Sequence, residues 1–202
     1  IDVSPVTPRR TGVGHYCFHL VKHLLELGPD CEFKGFFSGI QPIAKESLDS
    51  RLVICRFPLP TRLLYASWRA FNAPKVDTLL GGVDLYHATN YFLPPVSKAK
   101  RIVTIHDLAF IVHPEWCSPK ITDTFRRNIR RFAHEADAVL ATSEHTKADI
   151  ITHLEVPAEK ITVTLEGADS SFTPLNRSQA RAHIEKMYDI REPYLLFVGT
   201  FE

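Results

Sequence analysis

The sequence is short of cysteine, of net charge and of long apolar runs, and each shortage closes a class of function. Its 202 residues include only four cysteines, Cys17, Cys31, Cys55 and Cys117. Their spacing fits no zinc pattern and they are too few for a disulfide scaffold. Cys17 falls on an apolar helix face, and Cys31 and Cys55 fall in expected strands, so they read as reduced core thiols of a cytoplasmic protein. The net charge is +1, which gives no reason to expect nucleic acid. No apolar run approaches a membrane span, and the start does not read as a signal peptide. Asp-x-Asp pairs, internal repeats and low-complexity tracts are also absent.

What is present is a globular composition, 45% hydrophobic, with strands and helices in alternation. Residues 1–4 read as a strand entered midway. Strands follow at 32–38, 51–57, 83–87, 101–106, 138–142 and 161–165. Between them lie helical patterns. The first carries Cys17, Leu20, Val21, Leu24 and Leu25 at helical spacing and stops at Gly28-Pro29. The second, 61–72, carries Leu64, Trp68 and Phe71 on one face. The longest, 119–136, carries Ile121, Phe125, Ile129 and Phe132. Ser143 caps a fourth, and 178–188 forms a fifth. Apolar strands separated by helices predict an α/β fold, a Rossmann-like parallel sheet with helices on both faces. Tyr194 to Val198 reads as one more buried strand, the first of a second domain.

The loop Thr11-Gly12-Val13-Gly14 joins the first strand to the first helix. Glycines let backbone approach a ligand, and the helix start behind them offers unpaired N–H groups. Phosphates and sugar hydroxyls suit such a place, and a side chain at Gly14 is expected to fill the space they need without unfolding the domain. A tight turn with no ligand is the competing reading. The loop is not a dinucleotide fingerprint, because Cys17 stands where a third glycine belongs. The next strand also ends in Ser38-Gly39 rather than in an acid for a ribose.

Five segments carry a resemblance. They are Thr11-Gly12-Val13-Gly14-His15-Tyr16, Tyr86-His87-Ala88-Thr89-Asn90-Tyr91-Phe92-Leu93-Pro94-Pro95, Thr104-Ile105-His106-Asp107-Leu108, Ala141-Thr142-Ser143-Glu144-His145-Thr146 and Tyr194-Leu195-Leu196-Phe197-Val198-Gly199-Thr200. In this order the chain resembles the N-terminal half of family-4 (group 1) retaining glycosyltransferases, with a look of the mannosyltransferase-like members of bacterial polysaccharide pathways. The resemblance implies the first half of a GT-B fold. Residues 1–175 would form the acceptor-side domain, 176–192 an interdomain connection, and 193–202 the first strand of a truncated donor-binding domain.

The same resemblance implies a nucleotide-sugar donor, such as GDP-mannose or a UDP-sugar, and a glycan or lipid-linked acceptor. It also implies the missing C-terminal domain as partner, so that the chain alone is inactive. The absence of Asp-x-Asp fits a metal-independent enzyme with no cofactor, in which helix N-termini and basic side chains hold the diphosphate. A stand-alone nucleotide- or partner-binding module is the alternative from another class.

His106 is the catalytic candidate, ending a central strand at the edge where open α/β sheets bind ligands; the competing reading is a core histidine satisfied by a carbonyl. Gly12, Gly14, Asn90, Tyr91 and Asp107 are the substrate-binding candidates, and Asp107 either orients His106 or caps the next turn. Glu166 stands where the family often has asparagine, and is read as a surface acid in preference to an interdomain contact. His15, His19 and His23 stand four apart, but nothing completes a metal set, so a solvated face is the expectation. Arg126, Arg127, Arg130 and Arg131 form two stripes on the long helix. They suit peripheral contact with an anionic inner-membrane surface or an ordinary solvated face, with the second reading slightly ahead.

Overall fold

In the computed structural model, residues 1–43, 48–119 and 125–199 are described. The chain divides into two units, Ile1–Glu166 and Gly167–Glu202. The first unit runs α1 (Gly12–Leu27), β1 (Lys34–Ser38), β2 (Val53–Phe57), α2 (Thr61–Phe71), α3 (Val76–Leu79), β3 (Leu85–Ala88), β4 (Lys100–Ile105) and α4 (Ala109–Val112). It continues with α5 (Ile129–Glu135), β5 (Ala138–Ala141), α6 (Glu144–Leu154) and β6 (Ile161–Val163).

All strand pairs among the described residues are parallel. β1 pairs with β2, and a second sheet has the order β3-β4-β5-β6. The N-terminal segment stitches the two together. Val3 donates its N–H to the Phe36 carbonyl (2.8 Å) on one side, and Asp2 donates to the His87 carbonyl (2.9 Å) on the other. The expected first strand is thus a bridge of single-residue pairing, Asp2 with Phe36.

Alternation along β1 separates two cores. Phe36 joins a large cluster with Trp68, Tyr86, Val103, Phe132 and Ile150, and the next residue, Phe37, joins Val3, Val6, Cys17, Val21 and Leu25. Successive strand side chains point to opposite faces, so these clusters are the two covered faces of the parallel α/β layer. Ser143 caps α6 as its sequence requires, accepting the Thr146 N–H at 3.0 Å.

Several expectations are corrected. Phe71 is 77% exposed, because α2 turns only Leu64 and Trp68 inward. Cys31 is exposed, since β1 starts three residues later than it. Cys17 is buried, donates to the Asp2 carbonyl and has its thiol pushed up to about 12 by that burial. The long helix is not continuous: Phe125 and Arg126 are helical, Arg127 and Asn128 form a turn, and α5 begins at Ile129. Residues 120–124, with Ile121, lie outside the described residues.

In the second unit, α7 (Arg177–Tyr188) is capped by Asn176, whose side chain accepts the Ser178 N–H at 2.9 Å. Tyr194 to Val198 forms no strand; all five are at least half exposed. A lone extended segment has no ladder to satisfy its backbone. Thr200 lies outside the described residues.

Candidate functional site

The carboxyl ends of β3, β4, β5 and β6 lead into Thr89, His106, Thr142 and Glu166. Two of them close on one imidazole. His106 Nε2 lies 3.0 Å from the Thr89 carbonyl oxygen, and Nδ1 lies 2.9 Å from Glu166 Oε1. The two contacts together fix the plane and position of the ring. Both ring nitrogens are engaged by this chain's own oxygens, which makes His106 a positioning residue.

The ring is also held on its faces and through its backbone. Tyr16 meets it edge-on at 4.8 Å between centroids, and Tyr91 at 6.1 Å. The His106 carbonyl accepts from Thr142 Oγ1 (2.7 Å) and Thr146 Oγ1 (3.1 Å). One layer below, Tyr16 Oη is 3.1 Å from Thr104 Oγ1, and His87 Nε2 is 2.8 Å from the same hydroxyl. Burial first, then the positive chain start and His106, hold His87 down at about 4. Burial raises the phenols of Tyr16 and Tyr91, so both stay neutral donors. The core reading of His106 is partly right in that a carbonyl satisfies it, yet 12% of the side chain reaches solvent beside a carboxylate.

The other candidates separate. Asp107 Oδ1 accepts the Ala109 N–H at 2.9 Å, capping α4, while its own N–H donates to Tyr91 Oη at 3.3 Å. Asn90 accepts the Tyr91 N–H through its side chain. The two glycines are unlike. A Cβ on Gly12 would meet nothing within 4 Å, whereas one on Gly14 would lie 2.7 Å from the Pro5 carbonyl oxygen. The space beside Gly14 is therefore filled by this chain's own turn, so a side chain there presses on the Pro5 carbonyl and costs stability as well as ligand space. Thr11 makes no side-chain cap on α1, and its first turn holds no acid.

Glu166, read as a surface acid, is half exposed but pairs with His106. Tyr16, Thr89, Thr142 and Thr146 carried no role in the sequence reading. The available signal was their place just past strand ends or in the first turn of a helix. Among the described residues, no three His, Cys, Asp or Glu side chains gather to hold a metal. The His15 and His19 rings stack, while His23 pairs with Glu26. Arg130 pairs with Glu155, and Arg131 lies 3.8 Å from Glu135, so half of the arginine group is met by carboxylates.

A parallel sheet with a polar cluster at its carboxyl edge places the unit among α/β folds, in which that edge is the usual ligand-binding side. Residues 10–172 match the family model of Glycosyltransferase Family 4, and the chain belongs to that family. It is 23% identical over 209 residues to O-antigen chain mannosyltransferase B of Escherichia coli, covering 98% of this chain and 55% of that protein. A crystal structure of a glycosyltransferase from Rickettsia africae ESF-5 overlaps 91% of this chain and 48% of its own, with 14% identity and a TM-score of 0.47. The chain spans about half the length of both relatives.

Proposed function

We propose that this chain is the acceptor-side half of a retaining, nucleotide-sugar-dependent glycosyltransferase that moves a hexose, such as mannose, onto a glycan or lipid-linked acceptor. The observation that carries the reading is the His106 cluster at the carboxyl edge of a family member's sheet. His106, held between the Thr89 carbonyl and Glu166, positions the half-exposed Glu166 carboxylate, which accepts from a sugar hydroxyl. The open α1 start at Gly12 adds amides for hydroxyl and phosphate oxygens. The acceptor hydroxyl attacks from the face the diphosphate leaves, and the departing phosphate oxygen takes the proton, so no base is required of His106. The donor is GDP-mannose or a UDP-sugar, held without metal by a C-terminal domain. The setting is the cytoplasm, with Arg126, Arg127, Arg130 and Arg131 available for peripheral contact with an anionic inner-membrane surface.

The test is sugar transfer by the full-length enzyme carrying His106→Ala or Glu166→Gln. His106→Ala is expected to lower turnover about a hundredfold, a barrier rise of about 2.7 kcal/mol, with thermal melting nearly unchanged. Glu166→Gln is expected to lower it about tenfold, with thermal melting likewise nearly unchanged. A collapse of melting temperature with activity per folded molecule intact would leave His106 a core residue and sink the reading. Steady transfer by the 202-residue chain alone would overturn the division between two halves.

A further inference from the structure

We propose that the opposite, amino-terminal end of the sheet carries a second site, a groove that binds a phosphate-bearing anion. A cavity of about 640 Å³ lies there, beside the starts of β4 and β5. Arg69, Lys75, Lys98, Lys100, Arg101 and Arg131 line it, against only Glu135 and Asp137. Four positive charges are thus in excess within one groove of a chain whose net charge is +1. Lys100 pairs with Asp137 and Arg101 with Glu135. Arg69, Lys75 and Lys98 have no ion-pair partner among the described residues.

The walls that hold these cations are fixed by buried polar contacts. Asp77 accepts the backbone N–H groups of Ser97, Lys98 and Ala99 at 2.8–3.2 Å, which pins the loop bearing Lys98. Trp68 Nε1 donates to the Pro74 carbonyl (2.8 Å) and Ser67 Oγ to the Ala73 carbonyl (2.6 Å), which pins the turn bearing Lys75. Fold stability does not ask for a cation at either place. Lys75 sits just before α3, where positive charge opposes the helix dipole. Like charges held together on a rigid concave wall repel, and a multiply charged oxyanion relieves that repulsion. Lysine and arginine donors from several directions suit phosphate oxygens, and Trp68 and Phe92 form an apolar side for whatever the phosphate is attached to.

This site is independent of the glycosyl-transfer reading. Lys100 and His106 stand at the two ends of β4, about 20 Å apart along the strand. The shared chemistry is the phosphate group, supplied either free in solution or by a lipid headgroup.

The experiment titrates inorganic pyrophosphate into the chain with Trp116→Phe, so that fluorescence reports on Trp68 alone, and follows the melting temperature in parallel. A saturable response and a rise in melting temperature are expected. Lys75→Gln with Lys98→Gln should weaken both about tenfold or more while folding at least as well without anion. A control pair outside the groove, Lys22→Gln with Lys147→Gln, should leave them unchanged. Sedimentation with vesicles of equimolar phosphatidylglycerol and phosphatidylcholine separates the sources. Vesicle binding lost in the groove variant assigns a lipid headgroup, and a pyrophosphate response without vesicle binding assigns a free phosphate. No saturable response to millimolar pyrophosphate together with no vesicle binding would overturn the proposal. So would equal losses in the groove and control variants.

Discussion

The two ends of β4 handle polar groups in opposite ways. At the carboxyl end, His87, Thr104, Tyr16 and His106 are drawn out of water and satisfied by a few directed hydrogen bonds. At the amino end, Lys100 meets Asp137 at 2.9 Å with both side chains well exposed, and the cations along the groove outnumber their carboxylates. Coulomb attraction between exposed ions is screened, while a buried donor or acceptor without a partner costs its full desolvation. A single contact at the carboxyl end therefore weighs more than one on the amino-end surface. Asp77 is the exception that sharpens the rule. It lies at the amino end but is 4% exposed and accepts four backbone amides, those of Ser97, Lys98, Ala99 and Thr78.

Asp77→Ala should have the largest effect on stability. It strands those amides, with an expected loss of about 3–4 kcal/mol measured by urea unfolding. A loss below about 1 kcal/mol would break the claim that burial, not the end of the sheet, sets the weight of a contact. Burial alone would raise the Asp77 carboxyl, but the Lys98, Ser97, Ala99 and Thr78 amides outweigh it and hold it below the ordinary range.

The carboxyl end should show itself in pH. The unfolded His87 imidazole takes up its proton near 6.5, whereas the folded ring holds off until about 4. Stability is then intact above about pH 6.5 and falls by up to about 3 kcal/mol as pH drops toward 4. The part of this slope that His87→Gln abolishes belongs to that ring; an unchanged slope would remove His87 from the account.

Gly14→Val follows. Its Cβ meets the Pro5 carbonyl oxygen at 2.7 Å, and overpacking of this kind costs about 2 kcal/mol. Gly12→Ala, facing open space, should leave the unfolding midpoint nearly unchanged, and a loss there equal to that of Gly14→Val would remove the distinction between the two glycines. Lys100→Gln should cost little, about 0.5 kcal/mol by the same unfolding measurement, because its ion pair is exposed. A loss near 2 kcal/mol would show that the amino-end charges are coupled more tightly than solvent screening allows.

Much of this fold was legible residue by residue. The stripe Cys17, Val21, Leu25 buried as its spacing required, Ser143 capped its helix, and the parallel strands appeared near the expected places. Phe71 and Tyr194 to Val198 did not follow, since an apolar residue buries only where another element meets it. Asp107 shows the same limit within the site: the sequence left orientation and capping open, and the Ala109 N–H decided for capping.

The sequence by itself determined the alternation of strands and helices, the turn residues and caps, and the placing of His106 just past a strand. These are local matters, set by side-chain periodicity and backbone preference over a few residues. The tertiary structure alone decided that Glu166, sixty residues on, reaches His106. It decided as well that Pro5 fills the space beside Gly14, and that cations from α2, two loops, β4 and α5 line one groove. Such pairings depend on the register and order of parallel strands, which bring strand ends together regardless of their distance along the chain.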